Sequence, residues 1–576
     1  MRILGIHDGH TSSACLVEDG EIKSLVSEER FTYIKNQGGF PKESIKYIFN
    51  KFNISGSDID AVIMASLMAP IINIDAYNTG RHKFIGSYSK YIPNSILSSS
   101  SLKDFYVNHK HKQVSKSSKY NQILSSLGID KSKIEYSEHH ESHASTAFFL
   151  DPSYNPNQEK LIFTLDGSGD GLSATVSIGK DHKMERLAEI PTFDSLGMLY
   201  SRMTQFLGMK PLEHEYKLMG MAPYAPKFLE EKSYEVLKQF ISLDDSGLYF
   251  KNTSGVWGAA TIKKFQKLLV THRFDGISAG LQRLTEELVI KWVKNWIHET
   301  GVNDIAVAGG VFMNVKVNML LNEDPDINSI FFMPSCGDES IAAGAAIKKY
   351  VDNNLNNNVP IRIKPLKTLY LGPEYTNTQI EEALSSNDNV AYEYVENIND
   401  KIVDLLANRK NIARFNGKME FGARSLGNRS ILARPDDWEC VRKINKAIKM
   451  RDFWMPFAPT ILDSATNKYL KTNGSTFAPY MILGFNSTET AENEILAGLH
   501  QSDQTCRPQI LEKDWNPSYY DIIEKFSQET GISGVLNTSF NIHGYPIVNT
   551  PKNAIWTLEN SELDALQLGP FLVTRK

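Results

Sequence analysis

The feature that most constrains the fold is a strand–turn–strand pattern that occurs twice. Residues 2–6 ("RILGI") and 12–19 ("SSACLVED") have the pattern of strands around the polar turn "HDGH". Residues 160–179 repeat this arrangement, because an apolar strand leads into the turn "DGSGDG" (166–171) before a second alternating strand. Such turns bring backbone N–H groups and hydroxyls together, which suits a phosphate. A plain hairpin is the simpler interpretation of either turn alone, but the recurrence favours a duplicated α/β fold.

A later Gly-Gly turn extends the pattern. In "AVAGGVFMN" (306–314) a strand ends at a point where it could pass into a helix. Two hairpins with acidic, glycine-rich turns and a following Gly-Gly turn are the layout of the duplicated actin-like (ASKHA) nucleotide-binding fold. Residues 278–300 carry apolar side chains three or four positions apart, which predicts a core-facing helix.

The stretch "VDNNLNNNVPIRIKPLK" (351–367) is rich in Asn and poor in apolar residues, as linkers are. We therefore predict domains at 1–355 and 368–576, joined by a linker at 356–367. The polar, Ser- and Lys-rich segment at about 70–130 is either an ordered insertion or a mobile loop.

Composition excludes several classes of protein. The chain has 576 residues, a net charge of -5 and a pI of about 6.3, so no general basic field attracts nucleic acid. Four scattered cysteines argue against a disulfide framework. No apolar run approaches the roughly 18 residues of a membrane span, and "MRILGIHDGH" does not read as a secretory leader. We expect a cytoplasmic protein with no nucleic-acid or membrane partner.

The segment "EHHESHAS" (138–145) concentrates histidines. Ser137 is predicted to cap a helix beginning at Glu138, on which His139 and His143 share a face and His140 is turned about 100° away. The pair suits a first-row metal. A zinc protease needs His-Glu-x-x-His, and this segment is one residue short. Two histidines on a solvated helix remain an alternative, although Asp166 and Asp338 stand at strand ends beside glycine, where this fold meets a nucleotide or metal.

In these motifs and in others given below, the chain resembles the nodulation-U / cephamycin-type O-carbamoyltransferase family, which includes the tobramycin carbamoyltransferase. The resemblance covers nearly the whole length, in the family's order. In the first domain the matching motifs are "GIHDGHTSSACLVEDG", "EERF", "HHESHA", "LDGSGDG", "GMKPLEHEYKLMGMAPYA", "GGVFMNVKVN" and "PSCGDESIAAGAA". In the second they are "GKMEFGARSLGNRSILARP", "IKMRDFWMPFAP", "RPQ" and "VLNTSFNIHGYPIVNTP".

The resemblance implies an actin-like N-terminal domain with an iron site and a YrdC-like α/β C-terminal domain. Its implied metal ligands are His139, His143, Asp166 and Asp338. This N/O set favours Fe(II) by resemblance, and Zn²⁺ and Mn²⁺ are chemically compatible alternatives. His10 matches the family's candidate base for the acceptor hydroxyl; His7 is its rival, and a turn histidine bonded to backbone is the structural alternative.

The resemblance also implies the reaction. Carbamoyl phosphate and ATP, with Mg²⁺, would form carbamoyl-adenylate and pyrophosphate in the C-terminal domain, and a hydroxyl of a small natural product would then attack it in the N-terminal domain. The implied adenylate-binding residues of the N-terminal domain are Gly167, Gly309, Gly310 and Asn314. Those implied for carbamoyl phosphate and ATP are Lys418, Arg424, Arg429, Lys449, Arg451, Arg507, Asn537, Thr538 and Ser539.

One position departs from the family pattern. Met455 precedes "PFAP" where the family often has arginine, so a phosphate-binding cation is either missing or supplied from elsewhere, for example by Arg451. The resemblance implies a homodimer. Two other functions stay open on sequence alone: a tRNA-modifying relative that uses a similar adenylate, which the acidic balance disfavours, and a non-catalytic nucleotide switch, which would not need a cationic second domain.

Overall fold

The structure is a computed structural model that describes residues 1–70, 96, 98–115 and 118–576. It divides into two compact units: the first comprises residues 1–28 and 37–366, and the second comprises 29–36 and 367–576. The second unit therefore takes a short N-terminal segment, containing helix α1 (Glu29–Thr32), that the sequence division assigned to the first domain. The stretch predicted as a linker (356–367) belongs to the first unit except for its last residue, and it is attached there because the Leu366 N–H donates to the Leu150 carbonyl at 3.0 Å.

Two five-stranded sheets with the same topology form the first unit. The strands of the first sheet are β1 (Arg2–His7), β2 (Ser13–Glu18), β3 (Glu21–Ser27), β4 (Ala61–Met64) and β5 (Ile134–Tyr136). Those of the second sheet are β6 (Lys160–Gly169), β7 (Leu172–Lys180), β8 (Lys183–Pro191), β11 (Asp304–Ala308) and β12 (Ser329–Phe332). The orders are β3-β2-β1-β4-β5 and β8-β7-β6-β11-β12, with antiparallel hairpins on one side and parallel strands on the other. This repeat confirms the predicted duplicated actin-like fold.

The first unit also contains a small ribbon and most of the helices. The ribbon pairs β9 (Ile241–Leu243) with β10 (Phe250–Asn252). The helices are α2 (Lys42–Phe52), α3 (Ser100–Ser115), α4 (Ser118–Ser126), α5 (His139–Phe149), α6 (Leu196–Phe206), α7 (Glu215–Met221), α8 (Lys227–Leu237), α9 (Ala259–Leu269), α10 (Phe274–Thr300), α11 (Val315–Asn322) and α12 (Ile341–Asn356). Helix α10 contains the helix predicted at 278–300 and begins four residues earlier.

Close packing of α12 brings the later half of the first unit against α5. The run "IAAGAA" (341–346) presents only small side chains after its first residue. A Cβ on Gly344 would overlap the carbonyl of Ser142, so glycine is needed for the two helices to approach this closely. The loop before α12 is thereby held beside the histidine-bearing helix.

The second unit is an α/β unit around one mixed, eight-stranded sheet, in agreement with the predicted α/β class; its likeness to the YrdC fold stays a prediction. The sheet order is β13 (Val390–Tyr394), β22 (Phe571–Arg575), β21 (Ala565–Leu568), β14 (Ile412–Phe415), β15 (Arg429–Ala433), β20 (Gly534–Ser539), β16 (Ala458–Leu462) and β19 (Gln509–Leu511). A two-stranded ribbon pairs β17 (Leu470–Lys471) with β18 (Asn486–Ser487). The helices after α1 are α13 (Asn377–Ser385), α14 (Ile398–Ala407), α15 (Trp438–Ile444), α16 (Thr466–Tyr469), α17 (Glu489–Glu494), α18 (Pro517–Thr530) and α19 (Pro551–Glu559).

The remaining expectations concern the polar segment at about 70–130 and membrane-spanning helices. Of the segment at about 70–130, residues 71–95, 97, 116 and 117 lie outside the described residues, so neither alternative for it is decided. Within the described ranges, every helix is too short or too polar to span a bilayer.

Candidate metal centre and anion site

Helix α5 carries the histidine pair, and its N-terminus differs by one residue from the prediction. The helix begins at His139, and its cap is Glu138 rather than Ser137, because the Glu138 carboxylate accepts the N–H groups of His140 and Glu141 at 2.9 and 2.8 Å. An ion pair with Arg186 at 2.6 Å fixes this carboxylate. A charged cap suits the positive end of the helix dipole. The start of the helix is therefore rigid.

His139 and His143 lie on one face of α5 and point at two carboxylates. The Nε2 atom of His139 is 3.3 Å from Asp166 Oδ2 and 3.5 Å from Asp338 Oδ1. The Nε2 atom of His143 is 3.9 Å and 3.3 Å from the same two oxygens. One donor atom from each of the four residues falls within 4.8 Å of all the others. The solvated-helix alternative is wrong, because both histidines are buried.

These distances fit a first-row metal. Four N/O donors about 2.0–2.1 Å from one ion in a tetrahedral shell lie about 3.3 Å from one another. Three of the four His–Asp distances are 3.3–3.5 Å, so the side chains already have the spacing of a ligand shell. The donor set is two imidazoles and two carboxylates without a thiolate, which suits Fe(II), Zn²⁺ and Mn²⁺ alike.

Asp166 is aimed by an irregular segment of β6. The pairing of β6 with β7 shifts register between Leu165 and Gly169, which takes Asp166 out of the regular ladder. Its Oδ1 accepts the N–H of Gly310 at 3.2 Å, leaving Oδ2 toward the histidines. A Cβ on Gly169 would overlap the imidazole of His139, so this glycine leaves the space that the ring occupies.

The charges of the carboxylates and imidazoles shift the pKa values of His139 and Asp338. Burial lowers the pKa of His139, but the charges of Asp338 and Asp166 outweigh burial and raise it to about 10. Burial acts to raise the pKa of Asp338, but His139 and His143 hold it well below its usual range. A metal ion would replace the proton that His139 holds beside the two carboxylates.

His140, the third histidine, faces away from the cluster, as its position on the helix predicts. Its Nδ1 lies 2.8 Å from the hydroxyl of Thr164, in the core beneath the helix. Burial lowers the pKa of His140 to about 3, so the ring is neutral. It belongs to the packing of α5 and not to the donor set.

His10 and His7 occupy different environments. The Nδ1 atom of His10 is 3.5 Å from Asp338 Oδ2, and 27% of its side chain is exposed. His7 is buried, its Nε2 is 3.0 Å from the His10 carbonyl, and burial lowers its pKa to about 4. Of the two, His10 is the one that solvent or a substrate can reach.

The residues proposed to bind adenylate in the first unit surround Asp166. Gly167 leaves open space where a Cβ would stand, and Gly309 has a φ of +102° that favours glycine. The N–H of Gly310 is directed at Asp166. The Asn314 side chain is already engaged: it caps α11 and exchanges hydrogen bonds of 2.9 and 3.0 Å with Gln282. Ligand contact by Asn314 would require this pair to open.

A cavity of about 250 Å³ lies beside the β6–β7 turn of the first unit. Leu172 is one of the residues that line the cavity, and it pairs with Gly169 in the hairpin. The His139 ring lies against Gly169, so the cavity is near the histidine pair. The polar lining residues include Ser98, Lys103, Glu189 and Asp194, which stand beside apolar residues of β8 and β10. Lys103 and Glu189 form an ion pair at 2.5 Å.

In the second unit, the loop "GKMEFGARSLGNR" (417–429) is organised by a buried carboxylate. One oxygen of Glu420 accepts the backbone N–H groups of Leu426, Asn428 and Arg429 at 2.7, 3.3 and 3.1 Å. Arg429, predicted to bind phosphate, is fully buried over the Phe415 ring, and its guanidinium donates to the carbonyls of residues 373, 416, 417 and 428. This is a correction: Arg429 is fully buried and both of its terminal nitrogens donate to backbone carbonyls, so it holds the loop in place.

Lys449 is a buried cation of the second unit. Its ammonium donates to the Ser539 carbonyl, to the Ser539 hydroxyl at 3.1 Å and to the Asn541 side-chain oxygen at 2.8 Å. Burial, together with the charges of Arg451 and Lys35, lowers its pKa well below the usual value. Lys449 is thus held among neutral oxygens and beside other cations.

Three half-buried arginines extend this region. Arg451 donates to the Thr538 hydroxyl at 2.9 Å, and Arg507 donates to the Met481 carbonyl at 2.8 Å. Burial and the charges of Arg424 and Arg451 lower the pKa of Arg507 well below its usual value. An anion bound among such cations would offset both their repulsion and the cost of their burial. Together with Lys449 they form what we call the anion site: Arg424, Lys449, Arg451, Arg507, Thr538 and Ser539.

Other predicted residues of the second unit are placed differently. Asn537 is buried, and its amide nitrogen donates to the Ser425 carbonyl and the Thr460 hydroxyl at 3.2 and 3.0 Å, so it joins the strands beneath the anion site. Lys418 is exposed on the 417–429 loop. Met455 is half-buried, and Arg451 donates to the neighbouring carbonyl of Pro456 at 3.4 Å, so an arginine does stand beside this departure from the family pattern.

Sequence reasoning gave no role to Glu420, Asn541 and Lys35. Glu420 and Asn541 stand inside motifs that the resemblance identified ("GKMEFGARSLGNR" and "LNTSFN"), and Lys35 lies four residues after the motif "EERF". Their position in or near these motifs was the one sequence feature that could have pointed to them. Their roles depend on contacts between distant segments, which the motifs alone do not give.

The comparisons with known proteins agree on one family. The profile described as "Carbamoyltransferase N-terminus" matches residues 2–347, and that described as "Carbamoyltransferase C-terminus" matches residues 403–575. The chain is 34% identical over 589 residues to an uncharacterized protein of Methanocaldococcus jannaschii, covering 100% of this chain and 99% of that protein. It is 32% identical over 445 residues to nodulation protein NolO of Bradyrhizobium diazoefficiens, covering 76% of this chain and 79% of that protein. It is 29% identical over 582 residues to nodulation protein NolNO of Sinorhizobium fredii, covering 99% of this chain and 79% of that protein.

Proposed function

This chain belongs to the carbamoyltransferase family, which confirms the predicted resemblance and makes it an enzyme of carbamoyl transfer, and we propose that it works in two steps. The second unit forms carbamoyl-adenylate from carbamoyl phosphate and ATP. The first unit then transfers the carbamoyl group to a hydroxyl of a small molecule. The observation that carries the proposal is the anion site, in which the charge of Arg451 helps to lower the pKa of both Lys449 and Arg507 and the hydroxyls of Thr538 and Ser539 accept from these cations.

The first step needs a site for several phosphates. A carbamoyl carbonyl is a weak electrophile because its nitrogen donates electrons into it, and an anhydride with AMP supplies a better leaving group. The balance is carbamoyl phosphate, ATP and water giving carbamoyl-adenylate, pyrophosphate and orthophosphate. Guanidinium groups pair with phosphate oxygens in a bidentate manner, so Arg424, Arg451 and Arg507 would bind and orient the phosphates while the hydroxyls of Thr538 and Ser539 donate to them.

The second step uses the first unit. His139, His143, Asp166 and Asp338 would hold the metal, Fe(II) by resemblance. When bound, a divalent ion supplies a positive charge that stabilises the phosphate of the departing AMP. His10, partly exposed and 3.5 Å from Asp338, would take the proton of the acceptor hydroxyl while the oxygen–carbon bond forms and the bond from the carbonyl carbon to the AMP oxygen breaks.

The acceptor would approach through the cavity beside the β6–β7 turn. Its residues include Lys103 from the 70–130 segment and Asp194 and Tyr249 from residues 190–260. Apolar walls with a few fixed polar groups are usual for a small-molecule site. This composition supports a polar small molecule, such as a glycoside, as the acceptor class.

Release of pyrophosphate tests the proposal. The purified protein is incubated with Mg²⁺ and ATP, with carbamoyl phosphate, or with both. We expect release only with both substrates, at least about tenfold less release in Arg507→Met, and unchanged release in His10→Asn, which belongs to the second step. ATP hydrolysis without carbamoyl phosphate would instead favour a nucleotide switch, and a requirement for RNA would favour the RNA-modifying alternative.

A further inference from the structure

Asp170 is a buried carboxylate in the β6–β7 turn, and the proposed reaction gives it no role. Its backbone has a φ of +47°, in the left-handed region, where Asp and Asn are better tolerated than other residues with a side chain. Burying a carboxylate is unfavourable unless hydrogen-bond donors compensate it. The donors that surround Asp170 therefore indicate which parts of the chain it holds together.

The Asp170 carboxylate accepts four hydrogen bonds from two other segments of the first unit. Its Oδ2 accepts the N–H groups of His139 and Leu67 at 2.9 and 2.8 Å. Its Oδ1 accepts the N–H of Met68 at 2.9 Å and the hydroxyl of Ser66 at 3.0 Å. One side chain thus joins the β6–β7 turn to the loop after β4 and to the first residue of α5.

The bond from His139 completes the start of the histidine-bearing helix. The first N–H groups of a helix have no partner within the helix itself. Glu138 accepts those of His140 and Glu141, and Asp170 accepts that of His139. The first three N–H groups of α5 are therefore all bound by carboxylates, which suits the positive end of the helix dipole. Removing the Asp170 carboxylate would release the backbone of the helix residue nearest to this turn.

The same turn contacts the imidazole of His139 and supplies a second donor of the metal centre. A Cβ on Gly169 would overlap the His139 ring, so the backbone of the turn lies against this imidazole. Asp166, at the start of the turn, has its Oδ2 3.3 Å from the Nε2 atom of His139. His139 is thus held at its backbone, along its ring and at Nε2 by one segment of five residues. These contacts fix the ring relative to Asp166.

The loop after β4 gives Asp170 a second possible role. The Nδ1 atom of His111, on α3, is 3.0 Å from the Leu67 carbonyl, and α3 also carries Lys103, which lines the cavity. A carboxylate that served only to hold this loop would affect the stability of the first unit. It would not affect metal affinity in a protein that stays folded, so metal affinity distinguishes the two roles.

We propose that Asp170 is a positioning residue of the metal centre, which fixes the backbone of His139 against the turn that carries Asp166 so that both donors face one ion. Replacing the hydrogen-bonding partners that orient metal ligands typically weakens metal binding by about tenfold to a hundredfold. The inference rests on the metal centre of the proposed function. It depends neither on which divalent metal binds nor on the acceptor.

Two measurements test the role of Asp170 in the full-length protein: competition with a chromophoric chelator for Zn²⁺, and the visible d–d spectrum of the Co²⁺-loaded protein. Asp170→Gly removes the carboxylate, and glycine adopts a φ of +47° without strain. Asp170→Asn keeps one acceptor oxygen. The matched control is Glu28→Ala, which removes another buried carboxylate of the first unit, one that accepts the N–H groups of Glu43 and Ser44 and the Ser44 hydroxyl.

We expect Asp170→Gly to bind Zn²⁺ about tenfold or more weakly than the wild type and to change the Co²⁺ spectrum, and Asp170→Asn to lose less affinity. Glu28→Ala should match the wild type in both measurements even where it lowers the unfolding temperature. A folded Asp170→Gly with wild-type affinity and spectrum overturns the inference, as does a folded Glu28→Ala that loses metal equally. Where Asp170→Gly does not fold, Asp170→Asn decides, and wild-type affinity and spectrum in that variant overturn the inference.

Failure of the inference is distinguishable from failure of the proposed function. A wild type that binds neither Zn²⁺ nor Co²⁺ would refute the metal centre and the role of Asp170 with it. A wild type that binds both, together with an Asp170→Gly variant that matches it, would refute the role of Asp170 alone. The expected order of affinities in a protein that releases no pyrophosphate from ATP and carbamoyl phosphate would refute the proposed reaction and support the role of Asp170.

Discussion

Replacing Asp338 by asparagine should cost the protein most of its metal affinity. Asp338 lies 3.5 Å from His139 and 3.3 Å from His143, and it supplies one of the four donors. Apparent free energies for four-ligand zinc sites are about 10–16 kcal/mol, or about 3 kcal/mol for each ligand in an equal division. A loss of about 3 kcal/mol is about a hundredfold in the dissociation constant. Asparagine keeps the shape of the side chain, so the loss reports charge and ligation.

The assay is competition with a chromophoric chelator, followed by metal analysis of the recovered protein. Asp338→Asn and His143→Gln should each bind Zn²⁺ about a hundredfold more weakly than the wild type, with Fe(II) under anaerobic conditions as a second probe. His140→Gln is the matched control, because it changes a buried histidine of the same helix whose Nδ1 contacts Thr164 at 2.8 Å. It should keep wild-type metal affinity even where it lowers the unfolding temperature.

Two results would refute the reasoning. If Asp338→Asn and His143→Gln bind metal within about twofold of the wild type, the four residues are not the ligands. If His140→Gln loses metal as strongly as they do while remaining folded, the site depends on the general integrity of α5 and not on the donors identified by the geometry.

Further expectations follow from the same contacts. Gly169→Ala should weaken metal binding at least about tenfold in the same competition assay with all four ligands intact, because a Cβ there displaces the His139 ring; wild-type affinity would contradict this. Because the two carboxylates raise the pKa of His139 to about 10, the metal-free site holds a proton at pH 7 that a metal must displace. Apparent affinity should therefore rise about tenfold per pH unit from 7 toward 10, with proton release seen calorimetrically in two buffers; a flat pH profile would contradict it. Glu420→Leu should destabilise the second unit by about 2–4 kcal/mol in denaturant unfolding, since three backbone N–H groups lose their acceptor. Glu420→Gln, which keeps an acceptor, should lose less, and equal losses would show that the acceptor is not what matters.

The histidine face was predictable because it depends on local geometry alone. The four-residue separation of His139 and His143 places them together on any helix, and the same periodicity turns His140 away. The capping residue was predicted wrongly: Ser137 is the better cap by residue type, but Arg186, distant in sequence, stabilises the Glu138 carboxylate at the helix start. Asp166 and Asp338 could not be added by local spacing; they came from the resemblance, and the tertiary packing of α12 on α5 brings Asp338 into contact.

The roles of the arginines could not be separated from sequence. Arg424 and Arg429 stand five residues apart in one motif and read alike. Pairing of β14 with β15 places Arg429 opposite Phe415, inside the sheet, where it is fully buried. Arg424 lies before the strand and stays half-buried beside other cations. The difference in burial between the two arginines arises from the register of a strand, which the motif sequence alone does not predict.

Burial of Arg429 explains how the anion site can hold its like charges. Bringing cations together costs free energy, and a flexible loop would relieve that cost by moving them apart. In the second unit the 417–429 loop cannot relax in this way. Glu420 binds three of its N–H groups, and the guanidinium of Arg429 binds its carbonyls from within the core. These interactions therefore keep Arg424 near Arg507, and under the proposed function the relief of their repulsion would add to the binding energy of a phosphate.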